Sequence, residues 1–544
     1  MQFIKLTKQR AGGQRFTSRP HASALALGAL CTILFLTFLD NTIVSVGLGP
    51  LQTSLKAGVT ALQWVVGAYA LTFASIMLAC GMIGDELGRK KVMLSGVGVF
   101  CAGSVLCALA PNTDTLIAGR AIMGLGAAAS EPGTLSVLRH IYTGERERTR
   151  AIGVWAAVSG LALALGPVIG GAIIGVWSWR GIFWFNLAFG LAALIVAAIV
   201  VPESADPTAA RVDTAGTLLG AGALAALVFG IIKAETSSFG AAVPVALFCV
   251  AAVLAVGFVW QERRAAHPLL DLRFFRMLNF AVPNVVALCA YFSTFAIFFF
   301  TALYLSSVLN DSGYRIALTF LPMTVLMILA SVLTGYWTGA AGPRWPITIG
   351  CVLFGAGLLI ANPLLTLTPN YLALSLALTV AGIGIGITVV PITSTVLSAV
   401  PPDRSGMAAS ASNTSREIGA VTGVAVLGAL VFARLSSSLT TNLLQSNLPA
   451  ADKTIIISLK PTIIQTIETG QGQIASGGYG GYASIIKIVL NAAYKSFGDG
   501  LHLALDVAAV LVLLAAVLAV FTLGRAKSEP VAAAEPEIDV PSSR

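Results

Sequence analysis

"GMIGDELGRKK", residues 81–91, joins two long apolar segments and combines glycines, acids and a basic run within eleven positions. Glycines such as Gly81 and Gly88 permit tight turning and close approach of helices. Asp85 can cap the helix that follows or pair with a cation. A basic run that includes Arg89 keeps a loop on the cytoplasmic side of a membrane. The stretch therefore predicts a cytoplasmic connection between two membrane-spanning helices.

The composition agrees with a protein that crosses a membrane many times. The chain has 544 residues, of which 56% are hydrophobic and 10% charged, whereas soluble domains carry about 25% charged residues. The net charge of +9 requires no nucleic-acid partner, because basic residues in loops set membrane topology. The sequence contains no G-x-x-x-x-G-K-[ST], H-x-x-x-H or C-x-x-C pattern. We therefore expect no enzyme, no cofactor and no metal site.

Fourteen apolar segments are long enough to cross a bilayer, which predicts an all-α, polytopic membrane protein. They lie at residues 24–46, 61–82, 92–110, 115–138, 150–174, 181–201, 214–233, 242–260, 279–306, 316–340, 346–367, 372–399, 406–433 and 500–524. An even number of spans places both termini on one side. The basic connections 88–91, 139–150 and 261–276 indicate that this side is the cytoplasm.

The chain also shows a faint internal repeat. "GYWTGAAGPRWPIT" (335–348) has glycines seven residues apart, as does "GMIGDELGRKKVML" (81–94), and repeated halves are typical of secondary transporters. The expected domains are a cytoplasmic tail (1–23), an N-terminal six-helix bundle (24–201), two inserted transmembrane helices (202–260), a cytoplasmic linker (261–278), a C-terminal six-helix bundle (279–524) and a disordered cytoplasmic tail (525–544). Residues 435–499 are expected to form an extracellular loop within the second bundle.

Three stretches in order resemble motifs of the major facilitator superfamily. The 81–91 loop resembles its signature loop between spans 2 and 3, "LIAGRAIMGLGAAASEPGTL" (116–135) its proton-driven span-4 motif, and "GLALALGPVIGGAI" (160–173) its span-5 antiporter motif. "FLDNTIVSVGLGP" (38–50) and "PPDRSGMAASASNTSREIGAVTGVAVLG" (401–428) are similar to the fourteen-span drug/proton antiporters of the EmrB/QacA type. This resemblance implies a major facilitator fold of two six-helix bundles plus two extra spans.

The resemblance also implies roles for particular residues. It places a conformational latch between the bundles at Gly81, Asp85, Gly88 and Arg89, and the antiporter motif at Gly166, Pro167, Gly170 and Gly171. The chain departs from the family pattern at Glu131, where an apolar residue is expected. This departure could change coupling or substrate.

Asp40 lies inside the first apolar segment, where a carboxylate is costly and therefore points to function. It could hold a proton in one state and a lipophilic cation in another; the alternative is permanent pairing with an intramembrane arginine. Asp40 lies about 9 Å and Arg120 about 8 Å from the outer ends of spans 1 and 4, at 1.5 Å per residue. The matching depths predict that these two side chains interact directly or through one water.

The remaining charged groups within spans are less decisive. Glu131 could be neutral when it is buried away from water and charged when water reaches it, as alternating access requires. The alternatives are a neutral hydrogen-bonded glutamic acid or a water-exposed group near Arg139 or Arg146. Arg416 and Glu417 are expected to pair with each other or with lipid headgroups.

Together these features predict a proton-coupled antiporter that exports amphiphilic, cationic drugs or toxic compounds across the bacterial plasma membrane. The proton gradient would supply the energy, and the partners would be membrane lipids, amphiphilic substrates and protons. Two alternatives remain. One is an exporter of an endogenous lipid, peptide or envelope metabolite, although an anionic substrate would require more intramembrane cations than Arg120 and Arg416. The other is a non-transporting membrane receptor. The sequence leaves the oligomeric state open.

Overall fold

The structure is a computed structural model. It describes residues 20–142, 144–205, 212–237, 240–265, 268–401, 404–446 and 483–524, together with residues 453, 456–457, 459–460 and 463. The expected N-terminal tail up to residue 19, the C-terminal tail 525–544 that is expected to be disordered, and much of the expected 435–499 loop lie outside these residues.

Fourteen long helices form the described part of the chain. They are α1 (Pro20–Ile43), α2 (Val59–Leu87), α3 (Arg89–Ala108), α4 (Thr113–Ile141), α5 (Glu145–Val176), α6 (Arg180–Val200), α7 (Thr214–Thr236), α8 (Ala242–Arg264), α9 (Leu278–Phe295), α10 (Gly313–Ala341), α11 (Arg344–Ala361), α12 (Tyr371–Ser398), α13 (Ser405–Leu444) and α14 (Ala483–Thr522). Thirteen are long and apolar enough to cross a membrane. The other is α4, which has the same length as α2 but carries Arg120 and Glu131 in its interior.

The helices pack as two similar bundles. In the first, α1 contacts α4, α5 and α6, while α4 contacts α2 and α3. In the second, α9 contacts α12, α13 and α14, while α12 contacts α10 and α11. Adding eight to each helix number converts one set of contacts into the other, so the repeat seen faintly in the sequence is a repeat of packing.

Two equivalent contacts join the bundles, α2 with α13 and α5 with α10. The remaining helices, α7 and α8, pack against each other, and α7 also packs on both α2 and α13. The α7–α8 hairpin therefore lies beside one of the two contacts between the bundles.

Glycines bring equivalent helices close together in both bundles. A Cβ atom added to Gly126 of α4 would lie 2.6 Å from the carbonyl oxygen of Gly96 in α3. A Cβ atom added to Gly384 of α12 would lie 2.6 Å from the carbonyl oxygen of Gly350 in α11. Real side chains do not tolerate such distances, so these backbones approach in a way that only glycine allows.

Pro167 lies inside α5, where its ring removes the N–H group that would bond the carbonyl of Leu163. The Thr42 hydroxyl of α1 donates to that carbonyl oxygen at 2.9 Å. A neighbouring helix thus replaces the missing hydrogen bond, as a buried carbonyl in a membrane protein requires.

Two helices are longer than their apolar runs. The run that ends at residue 433 continues as helix to Leu444, and α14 begins at Ala483 instead of near residue 500. Leu439 and Leu443 of α13 pack with Ala492 and Ala493 of α14, and the extensions therefore stabilise each other. The expected 435–499 loop is helical at both of its described ends.

Thr42→Val should lower the stability of the protein by about 1–3 kcal/mol, because the Leu163 carbonyl would be buried without a donor. Thr53→Val is the control, since the exposed Thr53 hydroxyl bonds to the Gly49 and Pro50 carbonyls within the short helix Leu48–Leu55. Thermal unfolding in detergent micelles measures both variants. Equal midpoints for the two would contradict this account of Pro167.

Candidate functional site

A fully buried ion pair holds the first bundle together. Asp40 of α1 is 0% exposed and Arg120 of α4 is 1% exposed. Arg120 Nη1 donates to Asp40 Oδ2, and Asn186 Nδ2 of α6 donates to Asp40 Oδ1 at 2.6 Å. The pair predicted from matching depths is present, and it joins three helices of one bundle.

Arg120 makes further contacts with α2. Its Nε donates to the Val65 carbonyl at 2.9 Å, and its guanidinium lies 4.5 Å from the centre of the Tyr69 ring. The Tyr69 hydroxyl donates to the Thr37 carbonyl at 3.0 Å, back on α1. The charge of Arg120 is thus surrounded by a carboxylate, a carbonyl and an aromatic face, which offset the cost of removing it from water.

Two hydrogen bonds, each ending on a buried carboxyl group, link the bundles. Asn41 Nδ2 of α1 donates to Glu417 Oε1 of α13 at 3.0 Å. Asn413 Nδ2 of α13 donates to Glu131 Oε1 of α4. Glu131 is 0% exposed and Glu417 is 1% exposed. Both of these bonds therefore end on acidic groups that water does not reach in this state.

Arg416 extends this network within the second bundle. Its Nη1 donates to Asn413 Oδ1 at 3.2 Å, its Nη2 donates to Thr393 Oγ1 of α12, and its guanidinium lies 5.5 Å from the centre of the Tyr291 ring. Asn413 therefore connects Arg416 to Glu131 through its two ends. We call Asn41, Glu131, Asn413, Arg416 and Glu417 the interface network.

The interface network is incompletely satisfied. Glu131 Oε2 and Glu417 Oε2 have no hydrogen-bond partner among the described residues, and neither do Arg416 Nε and the Tyr291 hydroxyl. Buried polar atoms without partners are rare in stable cores. Carboxyl oxygens of this kind can take a proton or face a cation. Both oxygens of Asp40 are already hydrogen-bonded, so of the Asp40–Arg120 pair and the interface network only the network offers such oxygens.

The structure places Glu131 apart from the Asp40–Arg120 pair. Glu131 lies not with Asp40 and Arg120 but against Asn413 of the other bundle. The expectation that Arg416 and Glu417 meet lipid headgroups is wrong, because both are 1% exposed. No ion pair joins them to each other in the described structure, because their side chains turn to Asn413, Thr393 and Asn41 instead.

Sequence reasoning missed Asn41, Asn186, Asn413 and the site role of Glu417. One signal was available. "SASNTSRE" (410–417) is a run of small and polar residues inside a segment of spanning length. Such a run avoids lipid and therefore marks a helix face that lies against protein.

The residues of the expected latch lie around the α2–α3 connection. Asp85 and Arg89 pair with each other at 2.6 Å, and Gly88 between them has φ +114°, a conformation that favours glycine. The chain after α6 holds this connection, since Glu203 accepts from the Lys90 N–H at 3.0 Å. A Cβ atom on Gly81 would lie 3.5 Å from the Ser410 hydroxyl of α13, so Gly81 borders the other bundle.

The antiporter-motif residues of α5 pack on two sides. Cβ atoms on Gly166 and Gly170 would lie 2.8 Å and 2.6 Å from the backbone of Ile43 in α1. A Cβ atom on Gly171 would lie 2.5 Å from the Gly313 carbonyl of α10. This stretch therefore contacts both its own bundle and the opposite one. Nowhere in the described residues does a group of three or more His, Cys, Asp or Glu side chains offer a metal site.

Two repeated six-helix bundles, joined across a buried polar network, define a membrane transporter of the two-bundle class. Residues 30–424 match the Major Facilitator Superfamily, and the chain belongs to that superfamily. The expected all-α fold is confirmed.

Named relatives are resistance and export proteins. The chain is 34% identical over 411 residues to the multidrug resistance protein Stp of Mycobacterium tuberculosis, which covers 75% of this chain and 76% of Stp. It is 29% identical over 539 residues to the tetracenomycin C resistance and export protein of Streptomyces glaucescens, which covers 98% of this chain and 96% of that protein. A solved bacterial homologue of the human lysosomal transporter Spinster shares the fold with TM-score 0.61 at 17% identity, over 93% of this chain and 99% of that one.

Asp40→Asn and Arg120→Gln should each cost about 3–5 kcal/mol, because each leaves the partner's charge buried and unpaired. The double variant Asp40→Asn/Arg120→Gln should recover most of this loss. Thermal unfolding midpoints complete the double-mutant cycle. The control is Asp271→Asn/Arg273→Gln, a pair whose arginine is 83% exposed and where little change is expected. Additive losses at Asp40 and Arg120 would refute the pairing.

Proposed function

We propose that this protein is a proton-coupled antiporter that exports amphiphilic, cationic drugs or toxic compounds across the bacterial plasma membrane. The names of its relatives support drug export. The observation that carries the proposal is the pair of hydrogen bonds that link the bundles through the buried carboxyl groups of Glu131 and Glu417.

Coupling follows from the cost of burying charge. A carboxylate held away from water without a cation costs several kcal/mol, so the closed arrangement is stable when the group carries a proton or faces a cation. When the bundles separate, the hydrogen bonds from Asn41 and Asn413 break and water reaches Glu417 and Glu131. Protons and cationic substrate then compete for the same acids. A carrier that closes only with one or the other exchanges them across the membrane.

Asp40 has a different role in this scheme. Both of its oxygens are occupied, one by Arg120 and one by Asn186, and every partner belongs to its own bundle. We assign Asp40 and Arg120 to holding α1, α4 and α6 together as one moving unit. Proton loading of Asp40 would require this pair to separate.

The two backbone motifs would control the movement. The Asp85–Arg89 pair can act as the latch, because it fixes the α2–α3 connection beside Gly81, which borders the opposite bundle. Gly171 can seal the contact between α5 and α10 in the present state, since no side chain separates its backbone from the Gly313 carbonyl. Ser307 donates to Gln52 at 2.6 Å, which adds a contact between the connections that follow α1 and α9.

The orientation and energy source belong to the same proposal. The basic connections support an orientation with both termini in the cytoplasm. The proton gradient supplies the energy without a cofactor, and the partners are protons, small amphiphilic substrates and the surrounding lipids.

Glu417→Gln and Glu131→Gln should abolish coupling without unfolding the protein. Glutamine keeps an oxygen that can accept from Asn41 or Asn413 but cannot release a proton. We expect substrate-driven proton flux in proteoliposomes to fall at least about tenfold, equivalent to about 1.4 kcal/mol, for either variant. Asp114→Asn, an exposed acid at the start of α4, is the control. Normal flux at normal expression in both variants would rule out these acids as the coupling groups.

A further inference from the structure

A cavity of about 510 Å³ lies between the α7–α8 hairpin and the α2–α13 contact. We call it the hairpin pocket. Its walls are almost entirely apolar and include Leu78 of α2, Leu224 of α7, Ala255 and Phe258 of α8, and Ile418 of α13. Pockets of this size are typical of small-molecule sites, and this pocket is distinct from the interface network.

An acidic group lies directly behind the wall at one end of the hairpin pocket. Gly216 of α7 lines the pocket, and a Cβ atom added there would lie 2.9 Å from Glu262 Oε1 and 2.9 Å from Asp213 Oδ2. Leu270, which also lines the pocket, donates its N–H to Glu262 Oε2 at 3.1 Å. The Glu262 carboxyl group therefore lies between two residues of the pocket wall.

The two acids differ in how they are occupied. Asp213 accepts from the Gly216 N–H at 2.9 Å and from Gln261 Nε2 at 3.0 Å, so it caps α7 and is satisfied. Glu262 is 4% exposed, and its Oε1 has no hydrogen-bond partner within the described residues. None of the ion pairs found there includes it. Glu262 Oε1 is thus a buried acceptor beside an apolar cavity.

We propose that the hairpin pocket binds an amphiphilic monocation, with its apolar body in the cavity and its charge at Gly216, next to the Glu262 carboxyl group behind the wall. A cation compensates the buried carboxylate, whereas an anion would be repelled by both Glu262 and Asp213. Phe248 and Phe258 in the wall add aromatic faces that favour a cation. This site goes beyond the proposed function and does not depend on it.

A bound cation would touch the helix that carries the interface network. Thr414 and Ile418 line the pocket. They directly follow Asn413 and Glu417 along α13. The Thr414 hydroxyl is a second buried polar atom in this wall without a hydrogen-bond partner among the described residues. A ligand in the hairpin pocket would therefore contact α13 directly.

The test measures binding of tetraphenylphosphonium to the full-length protein in neutral-lipid nanodiscs by equilibrium dialysis. Tetraphenylborate, which has the same shape and the opposite charge, is the matched probe. Glu262→Gln removes the charge but keeps an acceptor for the Leu270 N–H, and Ala255→Phe fills the cavity. Val256→Phe adds the same ring to the neighbouring residue, which is 70% exposed and is not part of the pocket wall.

Glu262→Gln and Ala255→Phe should each weaken tetraphenylphosphonium binding about tenfold, while Val256→Phe should bind like the unaltered protein. The same differences should persist in a Glu131→Gln/Glu417→Gln background, which separates this site from the interface network. Unaltered binding in Glu262→Gln and Ala255→Phe, or equally tight binding of tetraphenylborate, would overturn the proposal. If Glu131→Gln and Glu417→Gln keep normal proton flux while Glu262→Gln still weakens tetraphenylphosphonium binding, only the proposed function is contradicted.

Discussion

Polar and charged groups that are buried in this protein must find partners, because neither lipid nor a packed core replaces the water they lose. At the centre of the first bundle the Asp40 carboxylate and the Leu163 carbonyl meet this requirement, whereas Asn186 Oδ1 has no partner among the described residues. Asp40 is bonded by both Arg120 and Asn186, and the carbonyl freed by Pro167 is bonded by Thr42. Because each of these bonds crosses from one helix to another, satisfying them also fixes the helices relative to one another.

Between the bundles the same requirement is met only in part. Glu131 and Glu417 each use one oxygen for a bond to the opposite bundle, and the other oxygen has no partner in the described structure. The interface is therefore the place where adding a proton, a cation or water changes the balance most. A firmly bonded interior and a sparingly bonded interface are what two bundles need if they are to move as units.

The α7–α8 hairpin breaks the symmetry of this arrangement. The α2–α13 and α5–α10 contacts are equivalent in the repeated packing, yet the hairpin packs on α2 and α13 and forms an apolar pocket with them. One of the two related contacts thus borders an apolar pocket. The α7–α8 hairpin therefore gives the α2–α13 contact surroundings that differ chemically from those of the equivalent α5–α10 contact.

The sequence by itself determined which segments form long apolar helices, the helical fold and the encounter of Asp40 with Arg120. Composition decides which segments enter a bilayer, and the fixed rise of a helix converts residue number into depth. The sequence could not identify the partners of Glu131 and Glu417, which lie 282 and 376 residues away along the chain. Nor could the sequence show that α13 extends to Leu444 and that α14 begins at Ala483. Those outcomes depend on which face each helix turns to its neighbours and on how two separately encoded bundles dock. The depth of a residue in the membrane follows from its position along its own span, so the sequence pattern records it. The rotation of each helix about its axis and the docking of the bundles depend on packing in three dimensions.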